Sequence, residues 1–337
     1  MISALRGAGV DVVERHVPVW EARREGWTAG PGTAARIAFA ELRLTRRVPD
    51  DVDALIVGYP GQPDVATARR AARGRPVVFN ALVSLHETLV ADRRRFGSRS
   101  LPARALRTLD RTALRGADLV VADTEANAEF LAELAGLPRS RVEVCLVGAE
   151  ERLFRSGWRP TEPWTCVFVG KLIPLHGLET ILAAARLAPD VPFRVIGSGQ
   201  LEPLLADRPP NVDWVPWVEY ERLPEELHRA GCALGVFGRS AKAARVIPNK
   251  AYQALACGTP LVTGATPAAA ELLTDGENAL LVPPGDPEAL AGALRRLRDD
   301  RSLAEGIGRG GRAVYEERAS EKVLGERWRS LLERLVA

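Results

Sequence analysis

Two titratable side chains lie beside glycine turns in the second half of the chain, where they could bind phosphate groups. Lys171 follows Gly170 at the end of an apolar stretch, and His176 precedes Gly177, which opens an amphipathic stretch. A strand that leads through a glycine loop into a helix presents free backbone N–H groups and the positive end of the helix dipole to an anion. The spacing therefore predicts a phosphate site to which Lys171 and His176 contribute positive charge.

A second glycine turn, with Gly197 and Gly199, follows the next apolar stretch and is a further candidate for this site. It lacks the third glycine of a dinucleotide fingerprint. A P-loop requires Ser or Thr after a Gly-Lys pair, and Leu172 stands there instead. Neither motif fits, so an ordinary α/β crossover with a tight turn is the alternative to a phosphate site.

A third candidate site is centred on Lys250. Pro248 and Asn249 suit the first turn of a helix that Gly258 ends. Lys250 is then expected at the helix N-terminus, where its ammonium and the N–H groups share an anion. Gln253 lies nearly one turn further on and could reach the same ligand. The alternative is that Lys250 and Gln253 form a solvated helix face.

Composition and charge exclude several classes of function. The chain has 337 residues and a net charge of +3, which is too small to indicate nucleic-acid binding. The four cysteines show no CxxC spacing, which argues against a zinc site or a disulfide framework and favours a reducing cytosol. No apolar stretch approaches the roughly 20 residues of a membrane span, and the first residues lack a signal-peptide core. We therefore expect a cytoplasmic protein that holds no metal.

The elements that must position these residues alternate between short apolar strands and helices, which predicts parallel doubly wound sheets. The polar stretch Glu150–Pro163 interrupts the alternation and is interpreted as a hinge. It divides the chain into residues 1–155 and 156–318, followed by a final segment 319–337 with the amphipathic helix Ala319–Val336. A polar loop is predicted at Trp20–Pro31 and a helix at Pro287–Leu297. The predicted strands are Val10–Val19, Asp53–Tyr59, Pro76–Phe79, Asp118–Ala122, Val142–Val147, Cys166–Val169, Phe193–Ile196, Val212–Val215, Cys232–Phe237, Pro260–Val262 and Leu280–Val282.

One element of a doubly wound sheet is absent from this pattern. The chain begins inside a helix, closed by Gly7 and Gly9, that should follow the first strand. A sheet without its central strand leaves unpaired backbone groups in the core. Our hypothesis is that the first strand of the N-terminal domain is missing, because the start is misassigned or the chain is a fragment.

The glycine turns and three further motifs together resemble the group 1 (family 4-like) glycosyltransferases, which have the GT-B fold. The similarity covers nearly all of residues 160–300. It implies two Rossmann-like domains that face a cleft, with a nucleotide-sugar mainly on the second domain, the acceptor on the first, and the last helix crossing back to the first. The motifs are Val169-Gly170-Lys171-Leu172, His176-Gly177, Ile196-Gly197-Ser198-Gly199, Gln253-Ala254-Leu255-Ala256-Cys257-Gly258-Thr259-Pro260, and Asp275-Gly276 through Asp286-Pro287.

The resemblance also implies a function. It implies a retaining, metal-independent transferase of the hexosyltransferase type, in cell-envelope or polysaccharide biosynthesis, whose donor is a nucleoside-diphosphate sugar and which needs no other cofactor. Lys171, His176 and Lys250 would stabilise the leaving diphosphate. The acceptor is a sugar, a lipid-linked molecule or a small molecule. The alternatives are a non-catalytic relative that binds a nucleotide-sugar or a partner, and a GT-B sugar epimerase.

Several positions depart from the family pattern. The family has Lys where this chain has His176, which is charged only if bound phosphates hold its proton. The paired glutamates of the family, eight residues apart, fall on Arg245 and Gln253. The resemblance implies ribose binding by Gln253, through one acceptor and one donor group, and positive charge from Arg245 near the diphosphate or the sugar. Trp217 lies in the region that borders the nucleobase in the family.

The first half of the chain carries weaker candidates. The active-site histidine of the family would fall near Asn80, and the nearest histidine is His86. Both lie in a polar stretch at the C-terminal end of a strand, where α/β sites occur, and are expected to contact the transferred sugar or the acceptor. The alternative is a capped helix start in which Ser84 and Glu87 form a capping box.

An arginine stripe lies on the predicted helix Leu101–Arg115. The residues on it are Arg104, Arg107, Arg111 and Arg115, and the stretch Arg93–Arg95 precedes the helix. One interpretation is a solvated outer face. The other is peripheral docking of residues 93–115 to an anionic membrane surface, which would suit a lipid-linked acceptor and place the protein at the inner face of a membrane.

Overall fold

The computed structural model describes residues 1–19, 33–45, 48–49 and 51–337. Within these residues the chain forms two sheets of parallel strands, with four strands in the first sheet and six in the second. The polar loop expected at Trp20–Pro31 lies outside the described residues. The fold is therefore mixed α/β, as the alternation of strands and helices predicts.

The first sheet has the strand order β1-β2-β3-β4. Its central strands are apolar on both faces, with Val77, Val78 and Phe79 almost inaccessible to solvent, which is typical of a parallel sheet covered by helices. The elements of this half are β1 Leu55–Val57, β2 Val77–Asn80, β3 Leu119–Ala122 and β4 Val142–Val144, with α1 Ile2–Gly7, α2 Thr33–Thr45, α3 Asp64–Ala71, a π-helix at Glu87–Asp92, α4 Leu101–Gly116, α5 Glu125–Ala135 and a 3₁₀ turn at Arg139–Arg141.

The predicted strand Val10–Val19 is wrong. Residues 10–18 pair with no strand of the described chain, and among the described residues β1 is hydrogen-bonded to β2 alone. Val10 and Val12 instead pack against a buried cluster that includes Leu324 and Trp328, whereas Val13 is 46% exposed. The alternating pattern therefore reflects packing of an irregular segment on this cluster rather than pairing in a sheet.

The second sheet has the order β10-β9-β8-β5-β6-β7, with β5 in its interior. All six strands predicted for this half are confirmed, although β8 ends at Leu234 rather than Phe237. The elements are β5 Cys166–Val169, α6 Leu178–Leu187, β6 Phe193–Ile196, β7 Val212–Val215, α7 Leu223–Arg229, β8 Cys232–Leu234, α8 Asn249–Cys257, β9 Leu261–Gly264, α9 Pro267–Ala270, β10 Leu280–Val282, α10 Pro287–Asp299, α11 Arg301–Arg318 and α12 Glu321–Val336, with 3₁₀ turns at Pro174–His176, Glu202–Asp207, Tyr220–Arg222 and Ala243–Arg245.

Helix α11 was not expected, because glycines interrupt its sequence. They are explained by close packing of the helix on backbone. A Cβ atom at Gly308 would lie 2.5 Å from the carbonyl oxygen of Gly258, and one at Gly310 would lie 2.2 Å from that of Glu277. The low helix propensity of these glycines is thus outweighed by a contact that larger residues would prevent.

The last helix, α12, packs against the first sheet. Trp328 and Leu331 are buried in one cluster with Val78 and Val121 of that sheet. Gly325 lets α1 approach, since a Cβ atom there would lie 2.2 Å from the carbonyl oxygen of Ala4. The helix thus joins the end of the described chain to its first half, while the boundaries at 155/156 and 318/319 stay predictions.

Candidate functional site

The loops that follow β5 and β6 are stacked on each other. The backbone N–H of Leu172 donates to the carbonyl oxygen of Ser198 at 3.0 Å. A Cβ atom at Gly197 would lie 1.9 Å from the carbonyl oxygen of Gly170, and one at Gly199 would lie 2.8 Å from that of Leu172. Gly197 and Gly199 are therefore required for the loop packing itself, and their presence alone does not indicate a ligand.

Lys250 carries a buried ammonium group without a partner. Its Nζ has no hydrogen-bond partner among the described residues and lies 3.5 Å from the centroid of the Phe168 ring. A Cβ atom at Gly170 would lie 2.8 Å from this Nζ, so only glycine leaves room for it. Burial lowers the pKa of Lys250 well below its usual value. The side chain thus places a donor, and a potential positive charge, directly against the loop after β5.

Helix α8 adds backbone donors beside this lysine. It begins at Asn249, with Pro248 at the N-cap and no side-chain cap. The first N–H groups of a helix need acceptors, and a proline at the N-cap supplies none from its side chain. The structure therefore confirms that Lys250 lies in the first turn of a helix, while anion binding there stays a prediction.

His176 is buried and uncharged. Its Nδ1 lies 2.5 Å from the carbonyl oxygen of Lys171, which assigns the proton to Nδ1, and its ring meets Phe168 edge to face at 5.6 Å between centroids. Burial, followed by the nearby charge of Lys250, lowers the pKa of His176 well below its usual value. The positive charge expected of His176 is thus absent at pH 7 in this structure, because the surroundings disfavour a second buried cation.

Lys171 is the accessible cation of this group. It lies on the loop between β5 and the 3₁₀ turn, and its carbonyl oxygen fixes the His176 ring. Partial burial, followed by the charge of Arg93 from the first half of the chain, lowers the pKa of Lys171. The structure therefore brings Lys171, His176 and Lys250 together around Gly170.

The residues expected at the ribose and the base differ in their exposure. Gln253 is a half-buried residue of α8 that lies near Tyr220. Trp217 is 67% exposed, with its Nε1 3.1 Å from a carboxylate oxygen of Glu219. Trp214 instead donates from Nε1 to the carbonyl oxygen of Gly197 at 2.9 Å and packs against the core. Of the two tryptophans, Trp217 is available to a ligand and Trp214 is structural.

Arg245 has a partner that the sequence did not suggest. It forms an ion pair with Glu87, 158 residues away, and its guanidinium lies 4.0 Å from the centroid of the Phe130 ring. The charge expected near the diphosphate is directed toward the first sheet instead. Half of the predicted capping box is confirmed, since Ser84 Oγ accepts the Glu87 N–H at 3.0 Å. The Glu87 carboxylate does not complete the box, because it binds Arg245.

Two further contacts join the first and second halves of the chain. Lys242 Nζ donates to Thr88 Oγ1 at 2.7 Å, and burial lowers the pKa of Lys242 to about 8. The carboxylate of Glu271 accepts the N–H groups of Glu125 and Ala126 at 2.7 and 2.9 Å, which caps the start of α5. Sequence reasoning missed both, because nothing local marks residues that meet only after folding.

Asn80 and His86 are not brought into contact with the lysines. Asn80 Nδ2 lies 3.4 Å from the sulfur of Met1. The N–H of His86 donates to buried Asp110, which also accepts Ser84 Oγ at 2.7 Å. Among the described residues, no hydrogen bond links either side chain to Lys171 or His176. Asp110 was missed, although a lone acid on the apolar side of an arginine-rich helix was a signal that it is buried.

The described residues contain neither a group of metal ligands nor a helix that could span a membrane. No three His, Cys, Asp or Glu side chains there are grouped so that they could hold a metal ion. No helix there combines the length and the hydrophobicity that a membrane crossing requires.

Two sheets of parallel strands and a last helix that returns to the first sheet are arranged as in the GT-B fold. Solved structures of glycosyltransferases share this fold. Sucrose-phosphate synthase from Thermosynechococcus elongatus superposes with a TM-score of 0.72 at 18% identity, over 91% of this chain and 82% of that chain. HepE from Anabaena, solved with UDP-glucose, gives a TM-score of 0.68 at 16% identity, over 91% and 84%.

Residues 163–300 match the model of the family described as Glycosyl transferases group 1. Among curated relatives, D-inositol 3-phosphate glycosyltransferase of Acidothermus cellulolyticus is 32% identical over 56% of this chain and 47% of its own length. The lipopolysaccharide core biosynthesis glycosyltransferase LpsD of Rhizobium meliloti is 26% identical over 53% of this chain and 52% of its own. The chain thus spans about half the length of these relatives.

Proposed function

We propose that this protein is a retaining glycosyltransferase that moves a sugar from a nucleoside-diphosphate sugar to an acceptor hydroxyl without a bound metal. The observation that carries the proposal is the buried, unpartnered Nζ of Lys250 beside Gly170. The match of residues 163–300 to the family model supports it. So does the likeness in fold to HepE, which has been solved with UDP-glucose.

The state of Lys250 argues for an anionic ligand. Taking an ammonium group out of water without an acceptor costs on the order of several kcal/mol. The Phe168 ring offsets part of this cost by attracting the cation, by about 2 kcal/mol when both are desolvated. A diphosphate at the start of α8 would supply the missing acceptor, together with a negative charge that raises the lowered pKa of Lys250.

The chemistry follows from where charge develops. The acceptor oxygen bonds to the anomeric carbon, the bond from that carbon to the diphosphate oxygen breaks, and the hydroxyl proton leaves with the diphosphate. Lys171, Lys250 and the first N–H groups of α8 stabilise the growing negative charge on the leaving group. His176 orients the loop through Lys171 and presents its unprotonated Nε2, so a phosphate that brings a proton can share it there.

The remaining roles belong to residues around this centre. Gln253 hydrogen-bonds the ribose, and the exposed face of Trp217 borders the base. Asn80 and His86 contact the transferred sugar or the acceptor once the ligand is bound. Arg245 reaches the diphosphate or the sugar only by leaving Glu87.

The direct test is calorimetric binding of UDP and GDP to the full chain in the presence of EDTA. We expect one of them to bind the wild type and neither to bind Lys250→Met detectably. Lys322→Met is the matched control, because Lys322 is an exposed lysine of α12. If neither nucleotide binds the wild type, the proposal is wrong.

Catalysis requires a second measurement. With the nucleotide identified, the corresponding nucleotide-sugars are offered and the release of nucleoside diphosphate is followed, with the anomeric configuration of the product read by NMR. Transfer or hydrolysis with retained configuration supports the proposal. Binding without transfer or hydrolysis would favour a non-catalytic nucleotide-sugar-binding protein. The structural argument for that alternative is the ion pair between Arg245 and Glu87.

We also propose that the acceptor side faces an anionic membrane at the inner, cytoplasmic surface. Two large apolar residues are exposed among arginines, with Phe96 37% and Leu101 78% accessible. Arg95, Arg99 and Arg104 beside them are exposed as well. Apolar side chains ringed by basic ones suit the boundary between headgroups and acyl chains. These five residues are called the basic apolar patch below.

Sedimentation with vesicles tests this patch. We expect binding to vesicles that contain phosphatidylglycerol and little binding to pure phosphatidylcholine. The double variant Phe96→Ser with Leu101→Ser should weaken sedimentation severalfold. Equal, negligible binding to both kinds of vesicle would refute the membrane contact and would favour a soluble acceptor.

A further inference from the structure

Arg93, which follows the π-helix, has one guanidinium nitrogen without a hydrogen-bond partner among the described residues. This nitrogen, Nε, is buried. None of the ion pairs within the described residues includes it, in contrast to Arg245 and Glu87 nearby in the same interface. Because a guanidinium cannot lose its charge in a protein, Arg93 must find an anion or water. The question is which anion this position meets.

The backbone of Arg93 is held at the glycine loops of the second half. Gln200 Nε2 donates to the carbonyl oxygen of Arg93 at 3.2 Å. Gln200 directly follows Gly199, whose loop is stacked on Leu172. A residue of the first half therefore lies at the loop that carries Lys171, although it is distant in sequence.

Electrostatics agree with this placement. Burial is the main cause of the lowered pKa of Lys171, and the charge of Arg93 is the second cause. The charge of Arg93 also contributes to the lowered pKa of His176. Such effects require charges that lie within several ångströms of one another. Cations from both halves thus lie close together. Burial raises the pKa of Asp92 while Lys242 and Arg93 both lower it, so this buried carboxylate offsets part of their repulsion. A bound anion would offset the rest.

We infer that Arg93 is a ligand of the donor's diphosphate, supplied by the first half of the chain across the cleft. This inference rests on the proposed function. It assigns to Arg93 the permanent positive charge that His176, buried and neutral, does not provide. Arginine suits this role, since its planar fork binds two phosphate oxygens at once.

The inference predicts discrimination between diphosphate and monophosphate. Lys250 and the start of α8 lie on one side of the loop after β5, while Arg93 approaches from the opposite half of the molecule. A diphosphate can bridge the two, whereas a monophosphate leaves one of them empty. Arg93 should therefore contribute more to binding of UDP or GDP than to binding of UMP or GMP.

The experiment compares three proteins by calorimetry with the nucleoside diphosphate that binds the wild type and with its monophosphate. We expect Arg93→Gln to weaken diphosphate binding about tenfold or more and monophosphate binding less than threefold. Arg94→Gln, which removes the same charge from the exposed neighbour, should change both less than twofold. Arg93→Lys should give an intermediate loss, because it keeps the charge but not the fork.

The outcomes distinguish an error in the role of Arg93 from an error in the proposed function. Equal diphosphate affinity in the wild type and Arg93→Gln overturns the inference and leaves the proposed function intact. Equal losses for diphosphate and monophosphate, or equal losses in Arg94→Gln, overturn it as well, since they indicate general electrostatics. No binding by the wild type overturns the proposed function instead. If Arg93→Gln does not fold, Gln200→Ala replaces it, with a smaller selective loss of diphosphate binding as support and unchanged binding as refutation.

Discussion

The two sides of the cleft are built in different ways. On the side formed after β5, the Lys250 ammonium lies against Gly170 and has no hydrogen-bond partner among the described residues. On the side formed after β2, the buried acid Asp110 accepts hydrogen bonds from Ser84, Leu85 and His86. One buried ionisable group thus lacks a partner, and the other has several.

This difference has a consequence for mutation. A buried charge without a partner destabilises the free protein and is retained for a ligand, whereas a buried acceptor with several donors stabilises the fold. Removing each should therefore change stability in opposite directions. Four measurements test this difference, from the largest expected effect to the smallest.

The largest effect is expected at Asp110. Asp110→Ala removes the acceptor of four donors, on Gln62, Ser84, Leu85 and His86. Each donor costs about 1–3 kcal/mol when it is buried without an acceptor, so we expect a loss of about 3–4 kcal/mol of unfolding free energy. Urea unfolding measures it. The control is Thr108→Ala, an exposed change in the same helix, which should cost less than about 0.5 kcal/mol. A loss below about 1 kcal/mol in Asp110→Ala would contradict the contrast.

The opposite sign is expected at Lys250. Lys250→Met keeps the length of the side chain and removes the buried charge, so the free protein should gain about 1–3 kcal/mol of unfolding free energy. Diphosphate binding should weaken at least about 100-fold, which corresponds to about 2.8 kcal/mol. Denaturant unfolding and calorimetry measure the two quantities. A protein that is destabilised and still binds would show that Lys250 is structural.

Binding should also depend on pH. The pKa of Lys250 is lowered in the free protein and should rise when a diphosphate supplies a negative partner, so binding takes up a proton. Above about pH 7.5, where the phosphate itself is almost fully ionised, affinity should fall as pH rises, by at most about tenfold per unit.

Calorimetry in buffers with different ionisation enthalpies measures this proton uptake. Lys242, with a pKa of about 8, titrates in the same window. If the proton binds to Lys250, the variant Lys242→Met should retain the proton uptake. In Lys250→Met, any residual diphosphate binding should take up no proton. Proton release on binding would refute the assignment.

The smallest effect is expected at the contact that joins the two sides. Glu271→Ala removes the carboxylate that caps α5, and loss of a helix cap costs about 1 kcal/mol. Glu277→Ala, an exposed change on the same half, is the control. Thermal unfolding followed by circular dichroism should show a drop of a few degrees for Glu271→Ala only. No drop would mean that water replaces the carboxylate without cost.

The sequence was informative where structure is local. Cys166–Val169 and Gly170 predicted a strand and its turn because a buried parallel strand is a short apolar run that glycine ends. Lys250 followed from Pro248 and Gly258, which mark the two ends of a short helix. These inferences need only a dozen neighbouring residues, and the structure agrees with them.

The sequence was uninformative where distant segments meet. Arg245 looked like a free cation because Glu87 is 158 residues away. His176 looked chargeable because its burial depends on Phe168 and Lys250 together. Val10–Val19 looked like a strand because Val10 and Val12 are partly buried while Val13 is exposed, as in a strand, although they pack on a side-chain cluster and pair with no strand. Each error concerns an environment that only the folded chain creates.

The return of α12 to the first sheet also governs the order in which the chain can fold during synthesis. Val78 and Val121 are translated early, but the side chains that cover them, Trp328 and Leu331, leave the ribosome much later. Until then that face of the first sheet is exposed to water, which makes it a target for chaperones. The core of the second sheet is completed by Tyr315 and Ala319, which precede α12 in the chain, so we expect it to acquire protease resistance before the first sheet does.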